Sequence, residues 1–496
     1  MSELPIPFAD GLASGLQQLS GAAPLFVNFL VDTNGAMTVR PGIQAWADFP
    51  QAGSPVTNSP VIGIFPWTNA AGSYLVFVTA DRMIWAWIGP GLVIALSSAS
   101  DKTTRLDGAL RPIFTYDATR VAIAGGGAPQ QWQGLGLSSR LAPGQVMPDG
   151  SPLALTHIAY NSQRFIGLDY NTSGIFQWTD PGPPAHTTWP IVGAYFQEAE
   201  AWPDPAVAMF TNANEVFVFG TQTMQVFLPD PTTAFAAAMT VQAGVGATYS
   251  VIPIDEVGAF AWLDEKHRFG ISAGPQYQVI STPNIDNDIT QPGFVTADCW
   301  GTRIRIGLWD LLLWVFPTSG RGFCFDRTTS KWVGEFRSID GNGAWQAWAP
   351  TSYTLVPGAT PQQNLHLVGL ANGTIAQLTF AATNDLGTTI KAVSRTGFQN
   401  RGTFNRKECR YARAQFIRGA TAQPGPAPVV ELRYRDNLGG FRPVAQWSAG
   451  VAGDYNPIVE KYNLGVYQQR QWELEWSGGG PFTLTGATET FNIQDV

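Results

Sequence analysis

The sequence predicts an all-β protein: a β-propeller-like body of about seven blade units, followed by a β-sandwich-like C-terminal domain. Three observations carry this. Helical periodicity is nearly absent, the turn formers Gly and Pro number 53 and 36 in 496 residues, and short β-type runs recur at a steady interval. An average soluble chain holds roughly 12% Gly plus Pro and about 25% charged residues. This chain exceeds the first value, and its charged fraction is only 13%. Turns are therefore frequent and long solvated helices few. Apolar residues make up 45%, which supplies core material and excludes a disordered chain. A neutral, aromatic-rich surface suits a protein that ends up inside an assembly.

From the N-terminus, residues 1–23 read as an arm. Within it Asp10 to Ser20 has the one helical signal: Asp10 as a cap and Leu12, Leu16 and Leu19 on one face, weakened by Gly11 and Gly15. Residues 24–385 read as the propeller-like body. Strand-turn-strand units appear at Tyr74–Val78 with Met83–Trp87, Arg120–Ala124 with Gln130–Trp132, and Arg164–Leu168 with Ile175–Trp178. They continue at Glu215–Gly220 with Met224–Phe227, His267–Ile271 with Tyr277–Ile280, Leu311–Val315 with Gly322–Asp326, and Leu365–Leu370 with Thr374–Leu378. Taking Val76, Val121, Ile166, Val218, Phe269, Leu313 and Leu367 as centres, the steps are 45, 45, 52, 51, 44 and 54 residues. That spacing matches a propeller blade period of roughly 40–50, and a closed ring removes exposed sheet edges. The alternative is an array of β-sandwiches spaced by chance. The Gly-His and Trp-Asp signature of WD40 blades is missing.

After Asn384–Gly387 the pattern changes, and residues 386–496 read as the sandwich. Longer alternating runs, Cys409–Arg418, Val429–Arg435 and Gln471–Trp476, are separated by turn signals at Asp436–Gly440 and Gly478–Pro481, with an exposed loop at Thr421–Pro428. Charge shifts here too. Residues 1–390 hold 16 Lys and Arg against 28 Asp and Glu, and residues 391–496 hold 13 against 9. An acidic body is a poor wrapper of DNA, whose affinity rests on phosphate neutralisation, but would suit a wall that DNA slides past. Three unclustered cysteines, Cys299, Cys324 and Cys409, fit synthesis in a reducing cytoplasm without a disulfide framework. Met1–Pro5 has neither a basic nor an apolar signal region, so no signal peptide is expected. The longest apolar stretch, Ile84–Leu96, is 13 residues and is broken by Gly89–Gly91. A membrane span needs about 20, so none is expected.

Catalytic patterns are not found: no phosphate-binding Gly loop, no dinucleotide fingerprint, no His-Glu-x-x-His and no Gly-x-Ser-x-Gly. His157, His186, His267 and His366 stand singly, and no metal or cofactor is expected. Asp286–Asp288 opens like a calcium loop but lacks its Gly and its closing Glu, with Ala297 at the twelfth position; a polar turn is the better reading. The pairs Asp264/Glu265 and Glu198/Glu200 resemble glycosidase acids, a pattern that any long chain offers. Trp85, Trp87, Trp178, Trp314 and Trp332 could stack sugars, but their strand spacing points first to packing between blades. The basic stretch holds Arg401, Arg406, Lys407, Arg410, Arg413 and Arg418. It reads either as a dock for an acidic partner or phosphate backbone, and hence a candidate assembly interface, or as a solvated strand face.

Particular strings, taken in order, resemble one phage family. They are Val27–Leu30, Val39–Ile43, Phe196–Asp204, Val216–Gly220, Phe260–Leu263 and Gly274–Thr282, then Phe316-Pro317 with Phe325–Trp332, Tyr434–Phe441, Gly465–Tyr467 and Arg470–Trp472. The chain is similar to the tail hub or nozzle proteins of short-tailed phages, also called packaged-DNA stabilisation proteins. The resemblance implies a non-enzymatic virion protein of the phage tail, made in the host cytoplasm. It further implies a six-fold homo-oligomeric ring below the portal and adaptor proteins. Such a ring extends the channel for double-stranded DNA, helps retain the packaged genome, and supports tail fibres or spikes and the needle or plug. The rival from another class is a propeller lectin or glycoside hydrolase acting as a depolymerase, because Asp436–Phe441 resembles a sialidase-type Asp turn. A cytoplasmic propeller scaffold is a third reading.

Overall fold

The computed structural model describes residues 2–10, 25–50, 58–146, 150–171, 174–182, 189, 196–199, 204–212, 214–254, 258–273, 276–360, 363–418, 429–437, 439–448, 458–477 and 482–494. The candidate helix beyond Asp10, the loop 421–428 and the turn 478–481 lie outside them, as does the side chain of Arg418.

Six antiparallel meanders of four consecutive strands follow one another, at 61–95, 113–140, 155–198, 206–241, 252–279 and 300–335. We number these blades 1 to 6. A seventh is built from three strands within 352–379, and its fourth strand is Gly42–Ala45 from the N-terminal end of the chain. The expected count of about seven therefore agrees with the strand pairing. Seven buried apolar clusters lie between blades 1 and 2, 2 and 3, and so on around to 7 and 1. That sequence of interfaces closes the ring.

The clusters explain why second strands read as unbroken apolar runs. Side chains alternate between sheet faces, and here both faces are covered. Leu75 and Phe77 enter the interface with blade 7, while Val76 and Val78 enter the interface with blade 2. Tryptophans bridge the same interfaces: Trp314 Nε1 donates to the Ser250 carbonyl at 2.8 Å and Trp332 Nε1 to that of Ile280 at 2.7 Å.

The chosen centres sit on the second strand of each blade except Phe269, which lies on the third strand of blade 5, Phe269–Ala273. The second strand there is Ala259–Leu263. Asp286–Asp288 is also not a turn but part of the helix Pro283–Ile289. Thr282 caps it, Pro283 opens it, and Ile285 and Ile289 drop one turn apart into the interface of blades 5 and 6.

The C-terminal region is a two-sheet sandwich, but it does not begin at 386. One sheet orders Phe29–Val31, Met37–Val39, Phe482–Ile493, Lys407–Arg418 and Ile458–Tyr462, with Ser2–Pro5 flanking Phe482–Ile493. The other contains Leu25–Val27, Ala392–Arg395, Arg470–Trp476, Val429–Asp436 and Arg442–Ser448. Phe26, Phe29, Met37, Phe416, Leu432, Trp472, Trp476 and Phe482 fill the space between them. Residues 25–39, which the sequence reading assigned to the propeller, thus complete the sandwich, and the strand of the expected arm pairs there as well. The second sheet continues into blade 6, where Val27 pairs in parallel with Glu335. Gly334 permits this approach: its φ is +93°, and a Cβ there would lie 2.0 Å from the Phe26 carbonyl oxygen.

Candidate functional site

The strand Lys407–Arg418 and the turn before it display the basic stretch, and its five described side chains take different roles. Arg401 is buried against the fully buried Glu489 and also donates to the Pro5 carbonyl at 3.0 Å. Lys407 is buried, with Nζ donating to the carbonyls of Thr403, Asn405 and Gln468 at 2.6, 2.9 and 2.8 Å. Burial lowers its pKa. Arg406 is exposed. Arg410 pairs with Glu408 at 3.2 Å, and Arg413 pairs with Glu460 at 2.6 Å while lying over the Tyr411 ring. Arg418 ends the strand. The stretch therefore brings Arg406, Arg410 and Arg413 to the surface and withdraws Arg401 and Lys407 into the fold.

Sequence reasoning missed a polar joint built from the strings Val27–Leu30 and Val39–Ile43. Asn28 adopts φ 60°, a left-handed conformation that Asn tolerates. Its Nδ2 donates to the carbonyls of Arg337 and Lys391 at 2.8 and 2.7 Å. Its Oδ1 accepts from Arg40 Nε and from the Arg337 backbone N–H, both at 2.9 Å. The guanidinium of Arg40 is fully buried and forks onto Asp385 at 2.6 and 3.1 Å. Blade 6, the seventh blade's closing strand and the sandwich meet at these three side chains. The only signal for this in the sequence was the pair of strings itself.

A second junction lies on the propeller axis. Arg111, just ahead of the first strand of blade 2, donates its backbone N–H to Tyr249 Oη of blade 5 at 3.1 Å. Its guanidinium lies 4.8 Å from the Trp300 ring of blade 6 and donates to the Thr351 carbonyl of blade 7. A residue whose backbone N–H meets Tyr249 just ahead of blade 5, and whose side chain meets blade 6 at Trp300 and Thr351 just ahead of blade 7, must span the axis. Tyr249 also stacks on His157 of blade 3, at 6.2 Å and 19°.

The groups with catalytic potential are engaged elsewhere. Asp436 is held by the buried Arg470 at 2.7 and 3.0 Å, and that guanidinium lies over Tyr434 and Tyr467 at 4.0 and 4.2 Å. Asp264 accepts from Arg268, from Tyr277 Oη and from backbone N–H groups, and Glu265 accepts from the Gly244 N–H. Trp178, Trp314 and Trp332 are buried, and Trp87 Nε1 donates to the Asp48 carbonyl. Burial pushes the thiols of Cys299 and Cys324 up and that of Cys409 to about 12, so none is a ready nucleophile. His366 is tied to Tyr353 Oη at 2.9 Å. Among the described residues no three His, Cys, Asp or Glu side chains gather as a metal ion would require. No helix among them is long and apolar enough to cross a membrane.

Comparison with known proteins gives one match that bears on function. A family model described as bacteriophage P22 Gp10, beta-propeller, matches residues 71–336, more than half of the chain. No curated protein sequence matches. Solved structures similar to this chain include BBS1N in complex with ARL6DN, at 11% identity over 69% of this chain and 98% of that one, with a TM-score of 0.41. Hsv2 of Kluyveromyces lactis is similar at 11% identity over 66% and 97%, with a TM-score of 0.31.

Proposed function

The chain belongs to the bacteriophage P22 Gp10 β-propeller family and is a phage structural protein, and from that premise we propose that it forms the hub or nozzle of a short tail. In this reading copies of the chain, six by expectation, assemble as a ring below the portal and adaptor. The ring extends the DNA channel, helps retain the packaged genome, and carries the fibres or spikes and the needle. The chain acts in the virion, after synthesis in the host cytoplasm, without catalysing a reaction.

The observation that carries this is the family match from the second strand of blade 1 to the end of blade 6. Two features support it. The engaged state of Asp264, Glu265 and Asp436 suits a structural protein better than a glycosidase, which needs two free acids flanking a bond. The excess of acidic residues over residues 1–390 gives DNA little to bind.

The test is the mass of the purified protein in solution, alone and with its cognate portal–adaptor complex. A stable complex that forms on the adaptor and contains a ring of copies is the expected result, and its mass gives the copy number. A monomer indifferent to the adaptor but retained on host polysaccharide would replace the hub with a carbohydrate-active propeller.

A further inference from the structure

Six arginines turned into this protein are matched to carboxylates: Arg40 to Asp385, Arg120 to Asp117, Arg303 to Asp310, Arg321 to Glu335, Arg401 to Glu489 and Arg470 to Asp436. Arg111 is not. Its guanidinium meets an indole face and one backbone carbonyl, and among the described residues no carboxylate pairs with it. Arg82, beside it, also spends its terminal nitrogens on carbonyls, those of Leu110 and Ala109 at 2.7 and 2.6 Å. That fixes the backbone immediately before Arg111.

We infer that this end of the propeller axis is a binding site for an oxyanion of the phosphate class, seated on the Arg111 guanidinium and the Tyr249 hydroxyl. The hydrogen-bond inventory points the same way. A guanidinium has five N–H donors, and among the described residues only the Thr351 carbonyl accepts from this one. The Tyr249 oxygen accepts from the Arg111 backbone N–H, and among the described residues no acceptor takes its own hydrogen. Unspent donors next to an unmatched cation call for an acceptor that carries negative charge.

The geometry narrows the class of ligand. With the Trp300 ring 4.8 Å from the guanidinium carbon, a ligand meets the guanidinium on a side turned away from the indole, where two oxygens of one tetrahedral anion fit the fork. A third oxygen is then left for the hydroxyl. Burial lowers the Arg111 pKa to about 10, which leaves it charged at neutral pH. The groups that favour its charge are a phenol and a thiol, Tyr249 and Cys299, neither of them anionic there. His157, the other titratable ring against Tyr249, is neutral and adds no charge. Arg82 holds the loop in place before any ligand arrives, so little ordering cost is left to binding. The inference does not depend on the virion reading.

Calorimetric titration of the full chain with inorganic phosphate tests it, with ionic strength held constant by chloride. One saturable site per chain is expected. Arg111→Gln weakens it by about ten- to a hundredfold, Arg111→Lys by less because the charge stays and the fork is lost, and Arg410→Gln leaves it unchanged. Arg111→Gln also cuts a tie between blades, so Tyr249→Phe serves as a second probe if circular dichroism shows that the first variant is misfolded. Wild-type protein giving no saturable heat, or folded Arg111→Gln or Tyr249→Phe binding phosphate as tightly as wild type, overturns the inference.

Discussion

Arg40 sits where the chain passes from the sandwich strand Met37–Val39 to the blade-closing strand Gly42–Ala45, and its fully buried charge is answered by Asp385 and Asn28. A buried pair is costly to break from one side because the surviving charge stays desolvated. Arg40→Met is therefore expected to cost about 3–5 kcal/mol in urea unfolding, and Arg40→Met with Asp385→Leu less than the sum of the two single changes. Losses that simply add would show that the pair does not couple. His157 gives a prediction in pH. Burial lowers its pKa to about 3, whereas an unfolded imidazole takes up a proton near pH 6.5. Between those values the unfolded chain binds the extra proton, so stability falls as pH falls. From pH 6.5 to 5 the loss is about 1.6 kcal/mol. In His157→Phe that share of the acid sensitivity disappears, as urea midpoints at the two pH values would show. An unchanged pH dependence would mean that the ring is protonated in place.

At the scale of elements, the strand Lys407–Arg418 shows what a sequence can and cannot reveal. Its alternation was legible in part: Ala412, Ala414 and Phe416 face the sandwich core, as a period of two requires, and Cys409 joins them only because a β-bulge between Cys409 and Tyr411 resets the register. The fate of the charges on it and in the turn before it was not, because Arg401 and Arg413 find their partners, Glu489 and Glu460, on strands distant in sequence. The same holds for blade closure. Local patterning marks each meander, but nothing local to Gly42–Ala45 says that it pairs with Ile375–Thr379. Blade 5 was misread by one strand because its second and third strands both carry apolar runs. The helix Pro283–Ile289 did leave a trace, Thr282 followed by Pro283, which the Asp-Asn-Asp run at 286–288 obscured. These placements reshape the test of the basic stretch. Reversing Lys407 would strand three carbonyls and unfold the turn, so only Arg406, Arg410 and Arg413 should be changed together to Glu. Exposed pairs such as those of Arg410 and Arg413 contribute little to folding, so stability should shift by less than about 1 kcal/mol. If the face docks on the adaptor, pull-down of that complex is lost. Particles that assemble normally would identify a solvated strand.

The whole molecule is stitched by its own beginning. Residues 2–5 and 25–39 complete the sandwich, residues 42–45 close the propeller, and Val27 joins the two through Glu335. The region matched by the family model, 71–336, contains none of these strands, so blades 1 to 6 are recognisable without the parts that shut the ring. Closure through the N-terminal segment makes both bodies depend on the same few residues, and neither is an independent folding unit in the sense of a core with its own complete set of strands. The intact chain should therefore unfold in a single calorimetric transition. Removing residues 1–24 takes away the Ser2–Pro5 strand but keeps Leu25–Val27, Met37–Val39 and Gly42–Ala45, so one transition should persist at a lower temperature. Removing residues 1–45 strips strands from both sandwich sheets and opens the seventh blade, exposing edges that invite association. That chain should aggregate or lose its cooperative transition. Two separate transitions in the intact protein, or a cooperative one surviving in the chain that starts at Trp46, would show that the propeller holds its ring closed without the N-terminal strands.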